Sequence, residues 1–133
     1  MSERTQEWPG GIAAITLFVD DLGAARTFYG EVYGLEVVYE DEDSAVFRFG
    51  ETLINLLRET AAPELVEPAA VAPAEGGVRF QFTLAVDDVD RMCEELARRG
   101  VVILNGPMDR PWGIRTASFR DPGGHVWEMA QDI

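Results

Sequence analysis

The sequence predicts an α+β fold in which two βαβββ units, joined by a linker, curve their sheets around a trough. Three observations lead there. Near residue 15 an alternating apolar segment runs into an acidic pair and then a helical pattern, and the same succession returns near residue 82. The copies keep a nearly constant spacing: Leu17-Phe18-Val19-Asp20-Asp21 matches Leu84-Ala85-Val86-Asp87-Asp88 at an offset of 67, Gly34 matches Gly100 at 66, and Ala45-Val46-Phe47-Arg48 matches Ala117-Ser118-Phe119-Arg120 at 72. Asp121-Pro122-Gly123-Gly124 is a reverse-turn sequence: Asp accepts a backbone hydrogen bond, Pro presets φ, and Gly tolerates positive φ after it. Behind that turn, His125 to Met129 alternates, so Trp127 and Met129 face the core while Val126, Glu128 and Ala130 face the other way.

Taken in order, residues 1–10 read as a polar arm. Ile15, Leu17 and Val19 then form the apolar face of a strand that ends at Asp20-Asp21. Asp21 is placed to cap a helix whose Leu22, Ala25, Phe28 or Tyr29, and Val32 recur at helical spacing, and Gly34 suits the left-handed position that stops it. Strands are expected over 35–40, 45–49 and 52–57, with turns at Asp41 to Ser44 and Gly50-Glu51. Unit one therefore spans 12–58. Residues 59–77 are a Pro, Ala and Glu-rich linker with little regular structure expected. Unit two spans 78–131, with Phe80, Phe82, Leu84 and Val86 alternating, a helix bearing Val89, Met92, Cys93 and Leu96, and Gly100 as its stop.

A chain of 133 residues makes one domain with a sufficient core, and 47% hydrophobic with 26% charged residues is the balance of a soluble globular protein. No apolar run approaches a membrane span and the start lacks a signal-peptide pattern, so a cytoplasmic location is expected. The lone Cys93 has no intrachain partner and reads as a small buried hydrophobe. A net charge of −13 argues against nucleic acid and anionic membranes as partners and favours cationic ligands. All eleven basic residues are Arg.

Parity then selects a candidate site. The faces opposite the helix-facing sets carry Ala14, Thr16 and Phe18 in one unit and Gln81, Thr83 and Ala85 in the other. Glu128 joins them, and its repeat partner at an offset of 73 is Asn55. Ala14, Asn55, Gln81 and Glu128 are thus four equivalent positions expected on one pocket. His125 shares the parity of Trp127 and reads as a turn or surface residue.

The segment V-x-D-L-x-x-A-x-x-F-Y at Val19 to Tyr29, the segment D-P-x-G-H-x-W-E at Asp121 to Glu128 and the duplication together resemble the vicinal oxygen chelate superfamily, the glyoxalase, bleomycin-resistance and extradiol-dioxygenase group, over nearly all of residues 12–131. In its metal-dependent members His, Gln or Glu from the first and last strands of each unit hold a divalent ion. Carried here, those positions are Ala14, Asn55, Gln81 and Glu128, of which only Gln81 and Glu128 match the ligand types. The resemblance therefore implies the binding branch: homodimers with pockets across the interface that sequester cationic or aromatic compounds, with no cofactor. The expected ligand-binding residues are Phe18, Asn55, Gln81, Trp112, Arg115 and Glu128. Trp112-Gly113 offers a stacking surface beside an open backbone, or Trp112 is core packing; Arg115 clamps a ligand carboxylate, or pairs with an acidic neighbour. Two alternatives stand beside this. One is a glyoxalase-like lyase or isomerase that binds Zn, Ni, Mn or Fe, with Glu128 as the catalytic residue and Gln81 as its companion; the other is an interaction module whose trough is filled.

Overall fold

The computed structural model describes residues 8–133, so most of the expected N-terminal arm lies outside the described residues. Unit one runs β1 (Ala14–Val19), α1 (Leu22–Thr27), a π-helical turn (Phe28–Val32), β2 (Glu36–Glu40), β3 (Ser44–Phe49) and β4 (Thr52–Arg58). Unit two repeats the plan with β5 (Gln81–Ala85), α3 (Val89–Arg98), β6 (Ile103–Arg110), β7 (Ile114–Arg120) and β8 (Val126–Asp132). The linker folds more than its composition suggests: a 3-10 turn at Glu59–Ala61 and a short helix α2 (Pro63–Val66) bury Ala62 completely. Beyond them, residues 67–80 have no helix or strand.

Each unit makes one four-stranded mixed sheet, ordered β1-β4-β3-β2 and β5-β8-β7-β6. The first and last strands of each unit run parallel and the other pairs antiparallel. Parallel pairing needs a crossover, which is what α1 and α3 provide, each covering the face of its own sheet. The helix starts follow from capping chemistry, since Asp21 accepts from Ala24 N–H and Asp88 from Arg91 N–H, both at 3.0 Å. Both helices end at a glycine of positive φ, Gly34 at 70° and Gly100 at 85°. The wider π turn after α1 explains why both Phe28 and Tyr29 are buried, where regular helical spacing offered one or the other.

Burial follows the predicted parity. Leu17, Val19, Ala45, Phe47, Ile54 and Leu56 of unit one share a core with Ala117, Phe119, Trp127 and Met129 of unit two. The two sheets therefore pack through their helix-side faces. Phe49 stacks on Trp127 with ring centroids 5.8 Å apart, and Tyr33 meets the same indole edge-on at 5.2 Å. Tyr29 bridges the units chemically as well: its hydroxyl donates to Asp121 Oδ2 at 2.5 Å and accepts from Trp127 Nε1 at 3.2 Å. Asp121 is only 4% exposed, so its charge is stable there because donors surround it.

This seam should be visible in stability measurements. Burial, with Asp121 nearby, pushes the Tyr29 and Tyr33 hydroxyls far above the ordinary tyrosine range. Unfolded tyrosines release protons near pH 10 while the folded ones hold theirs, so above that pH the folded state carries more protons and stability falls as pH rises. Urea unfolding between pH 8 and 11 should show a decline approaching about 1.4 kcal/mol per pH unit for each tyrosine. Tyr29→Phe should halve that slope and cost about 1–3 kcal/mol at neutral pH by leaving Asp121 a donor short.

Candidate functional site

The faces turned away from the core carry the candidate residues. On sheet one, Thr16 lies beside Asn55 in the parallel register, and Asn55 Nδ2 approaches Thr16 Oγ1 at 3.4 Å. Asn55 Oδ1 is buried with no hydrogen-bond partner. On sheet two, the equivalent pair is Thr83 and Glu128, with Thr83 Oγ1 donating to Glu128 Oε1 at 3.0 Å. Gln81 lies exposed on the same face, and Ser118 of β7 is opposite Glu128. The repeat thus reproduces one local device twice, a threonine hydroxyl against the acceptor-bearing residue of the last strand.

Within one chain Ala14 and Asn55 belong to sheet one and Gln81 and Glu128 to sheet two; whether the two sets meet within a chain or across two copies is a point the sequence leaves open. Because Phe49 and Trp127 place the helix-side faces against each other, Asn55 and Glu128 stand on opposite outer faces. Each unit turns its own polar set outward. Sequence parity assigned the faces correctly but not which faces meet.

Arg115 is not brought to either outer face. It has the parity of Ala117 and Phe119, and its guanidinium is held by Asp90 of α3 at 2.9 and 3.0 Å and by Asp109 at 2.9 Å. Those carboxylate hydrogen bonds raise its pKa further. Of the two readings open in the sequence, the acidic-neighbour one describes the observed contacts. Trp112 is 69% exposed at the tip of the β6–β7 hairpin, beside Gly113 with φ of 90°, so it is not core packing. Phe18 is half-buried and walls a cleft beside β1. Cys93 is half-buried against the core, and burial pushes its thiol pKa up, as suits a small hydrophobe.

With this geometry established, comparison with known proteins is decisive about kinship. Residues 11–129 match the profile of the Glyoxalase/Bleomycin resistance protein/Dioxygenase superfamily. The chain belongs to that superfamily. It is 35% identical over 119 residues to the uncharacterized protein YraH of Bacillus subtilis, covering 86% of this chain and 93% of YraH. Among solved structures, a glyoxalase/bleomycin resistance protein/dioxygenase from Nocardioides superposes with a TM-score of 0.85 at 24% identity, covering 97% of this chain and 87% of that one. TnmS3, an antibiotic binding protein from Streptomyces sp. CB03234, superposes with a TM-score of 0.72 at 25% identity, covering 96% of this chain and all of that one.

The superfamily's metal positions are a poor donor set here. Ala14 contributes no donor atom and Asn55 offers a carboxamide held against Thr16, which leaves only Gln81 and Glu128 as usable donors. Among the described residues no three His, Cys, Asp or Glu side chains gather as metal ligands would. A borderline divalent ion wants three or four good donors, usually with imidazole among them, so these residues do not fit one.

The residue that sequence reasoning undervalued is His125. It is not a surface histidine: its side chain is 15% exposed, and Nδ1 lies 3.1 Å from both oxygens of Asp121. Its backbone N–H also donates to Asp121 Oδ1 at 2.8 Å. The ring lines a cleft of about 270 Å³ between β1, residues 72–80 and the turn before β8. The signal available in the sequence was an aspartate four residues before a histidine across a tight turn.

That turn is closed by Gly124 N–H donating to Asp121 O at 3.0 Å, and positive φ falls on Gly124, at 93°, and not on Gly123. Gly123 is required for a different reason: a Cβ there would meet the His125 ring at 2.9 Å and Val19 at 3.2 Å. Gly123→Ala should therefore cost about 1–3 kcal/mol in urea unfolding and displace the ring signals of the single histidine in NMR spectra.

Proposed function

We propose that the protein binds a small cationic aromatic molecule without changing it, in pockets formed when two copies pair as a homodimer. The observation that carries this reading is the state of Glu128. It sits half-buried in mid-strand, one oxygen accepts from Thr83, and Oε2 has no protein partner among the described residues. A partly desolvated carboxylate with a free oxygen is a receptor for a cationic donor, and a net charge of −13 enriches cations around it.

The remaining candidates supply the rest of such a pocket. Gln81 lies on the Glu128 face, Phe18 and Asn55 lie on the outer face of the other sheet, and a second copy would set the two faces opposite each other. Ala14 leaves room where a ligand residue would stand. Trp112, solvent-exposed beside Gly113, supplies a stacking surface at the rim. Kinship agrees, since TnmS3 is an antibiotic binding protein of the same fold. In this reading Arg115 is a structural residue.

A second reading rests on Gln81 and Glu128 sharing one face: a lyase or isomerase with Glu128 as general base and a divalent ion recruited with help from its substrate. Elemental analysis after dialysis against Ni, Zn and Mn separates the two, because about one retained ion per pocket favours the enzyme. For the binding reading, titration calorimetry with a panel of cationic aromatic antibiotics, bleomycin among them, should give saturable heat at one ligand per chain. Sedimentation should report twice the 14.7 kDa chain mass. Glu128→Gln should weaken binding about tenfold or more by removing a charge-assisted contact. Absence of heat across the panel would count against it.

A further inference from the structure

We propose that the cleft at the seam between the two units is a second binding site, for a small phenol whose hydroxyl donates to His125 Nε2. The site goes beyond the outer-face pocket: it shares Thr16 and Phe18 with that surface but contains none of Asn55, Gln81 and Glu128.

The protonation pattern of His125 follows from its neighbours. Asp121 is buried and already accepts from the Tyr29 hydroxyl and the His125 backbone N–H, which identifies it as a carboxylate. With Nδ1 3.1 Å from both Asp121 oxygens, the ring proton of a neutral imidazole belongs on Nδ1. In that neutral tautomer Nε2 carries the lone pair, and it has no protein partner among the described residues. The chain Trp127, Tyr29, Asp121, His125 reaches from the middle of the core to this one acceptor, and each link holds the next in place.

The cleft's shape and charge choose the ligand. Its walls are Phe18, Pro73, Val78 and Phe80, apolar surfaces suited to a flat ring, and the Phe80 and His125 rings are 6.5 Å apart. A volume of about 270 Å³ falls just below the range of pockets for drug-sized ligands and suits a single ring. Arg79 is also in the lining and has no carboxylate partner among the described residues, so it can sit over the ring or against the oxygen. A neutral hydroxyl meets this acceptor without the repulsion that a net charge of −13 imposes on a carboxylate ligand. The linker builds the site's floor closely: a Cβ on Gly124 would lie 3.1 Å from Ala74 O.

Because His125 is the single histidine, its ring nitrogens can be followed without ambiguity in the full-length protein. Long-range proton–nitrogen spectra are recorded while phenol is added, with anisole, which has the ring but no hydroxyl proton, as the control. Saturable movement of the Nε2 signal by phenol, with anisole at least tenfold weaker, is the expected result. Arg79→Ala, at an exposed position, should weaken phenol several-fold while the spectrum stays that of a folded chain. An Nε2 signal that does not move at phenol concentrations in the tens of millimolar would overturn the proposal. So would anisole matching phenol, or Arg79→Ala leaving the phenol titration unchanged.

Discussion

The buried hydrogen-bond chain from Trp127 through Tyr29 to Asp121 is the constraint on which the arrangement of the two units depends. A carboxylate with 4% exposure is tolerable only with donors on both oxygens, and those donors come from different units: Tyr29 from the π-helical turn after α1, the His125 backbone from the turn before β8. Apolar packing alone would tolerate sliding between two similar faces, because many registers bury comparable area. The polar chain removes that freedom, since any shift strands Asp121 without Tyr29. The aromatic cluster around Trp127 adds apolar burial, with Phe82 at 4.6 Å and Phe49 stacked at 5.8 Å.

One consequence is that the polar set of each unit faces outward. A sheet covered on its helix side by the other unit has only its far side to offer a ligand, and Thr16 with Asn55, and Thr83 with Glu128, lie on those far sides. In the proposed reading, a second copy is what would give each outward-facing set an opposite wall.

A second consequence concerns charge. Several arginines are engaged within the chain: Arg26 with Glu40 at 2.6 Å, Arg99 with Glu95 at 2.8 Å, and Arg115 with Asp90 and Asp109. Such exposed pairs contribute little stability each, but they withdraw positive charge from the surface, and the acidic surplus is left to act on whatever approaches. Glu128 lies in that field with one oxygen free.

The sequence by itself determined the two units, their strand and helix order, the capping aspartates, the terminal glycines and the in-or-out parity of each strand, because these depend on chemistry between near neighbours: a period of two, a period near 3.6, an acceptor before a helix, a residue free to take positive φ. It also assigned Glu128 and Asn55 to equivalent positions, since duplication preserves register. Tertiary structure alone decided the rest. Which sheet faces meet depends on the interunit pairing of Tyr29 with Asp121, 92 residues apart, and no local pattern encodes it. The same holds for Arg115, drawn to Asp90 on α3, for Trp112, left in solvent at a hairpin tip, and for His125, whose ring is held in one orientation by a buried carboxylate.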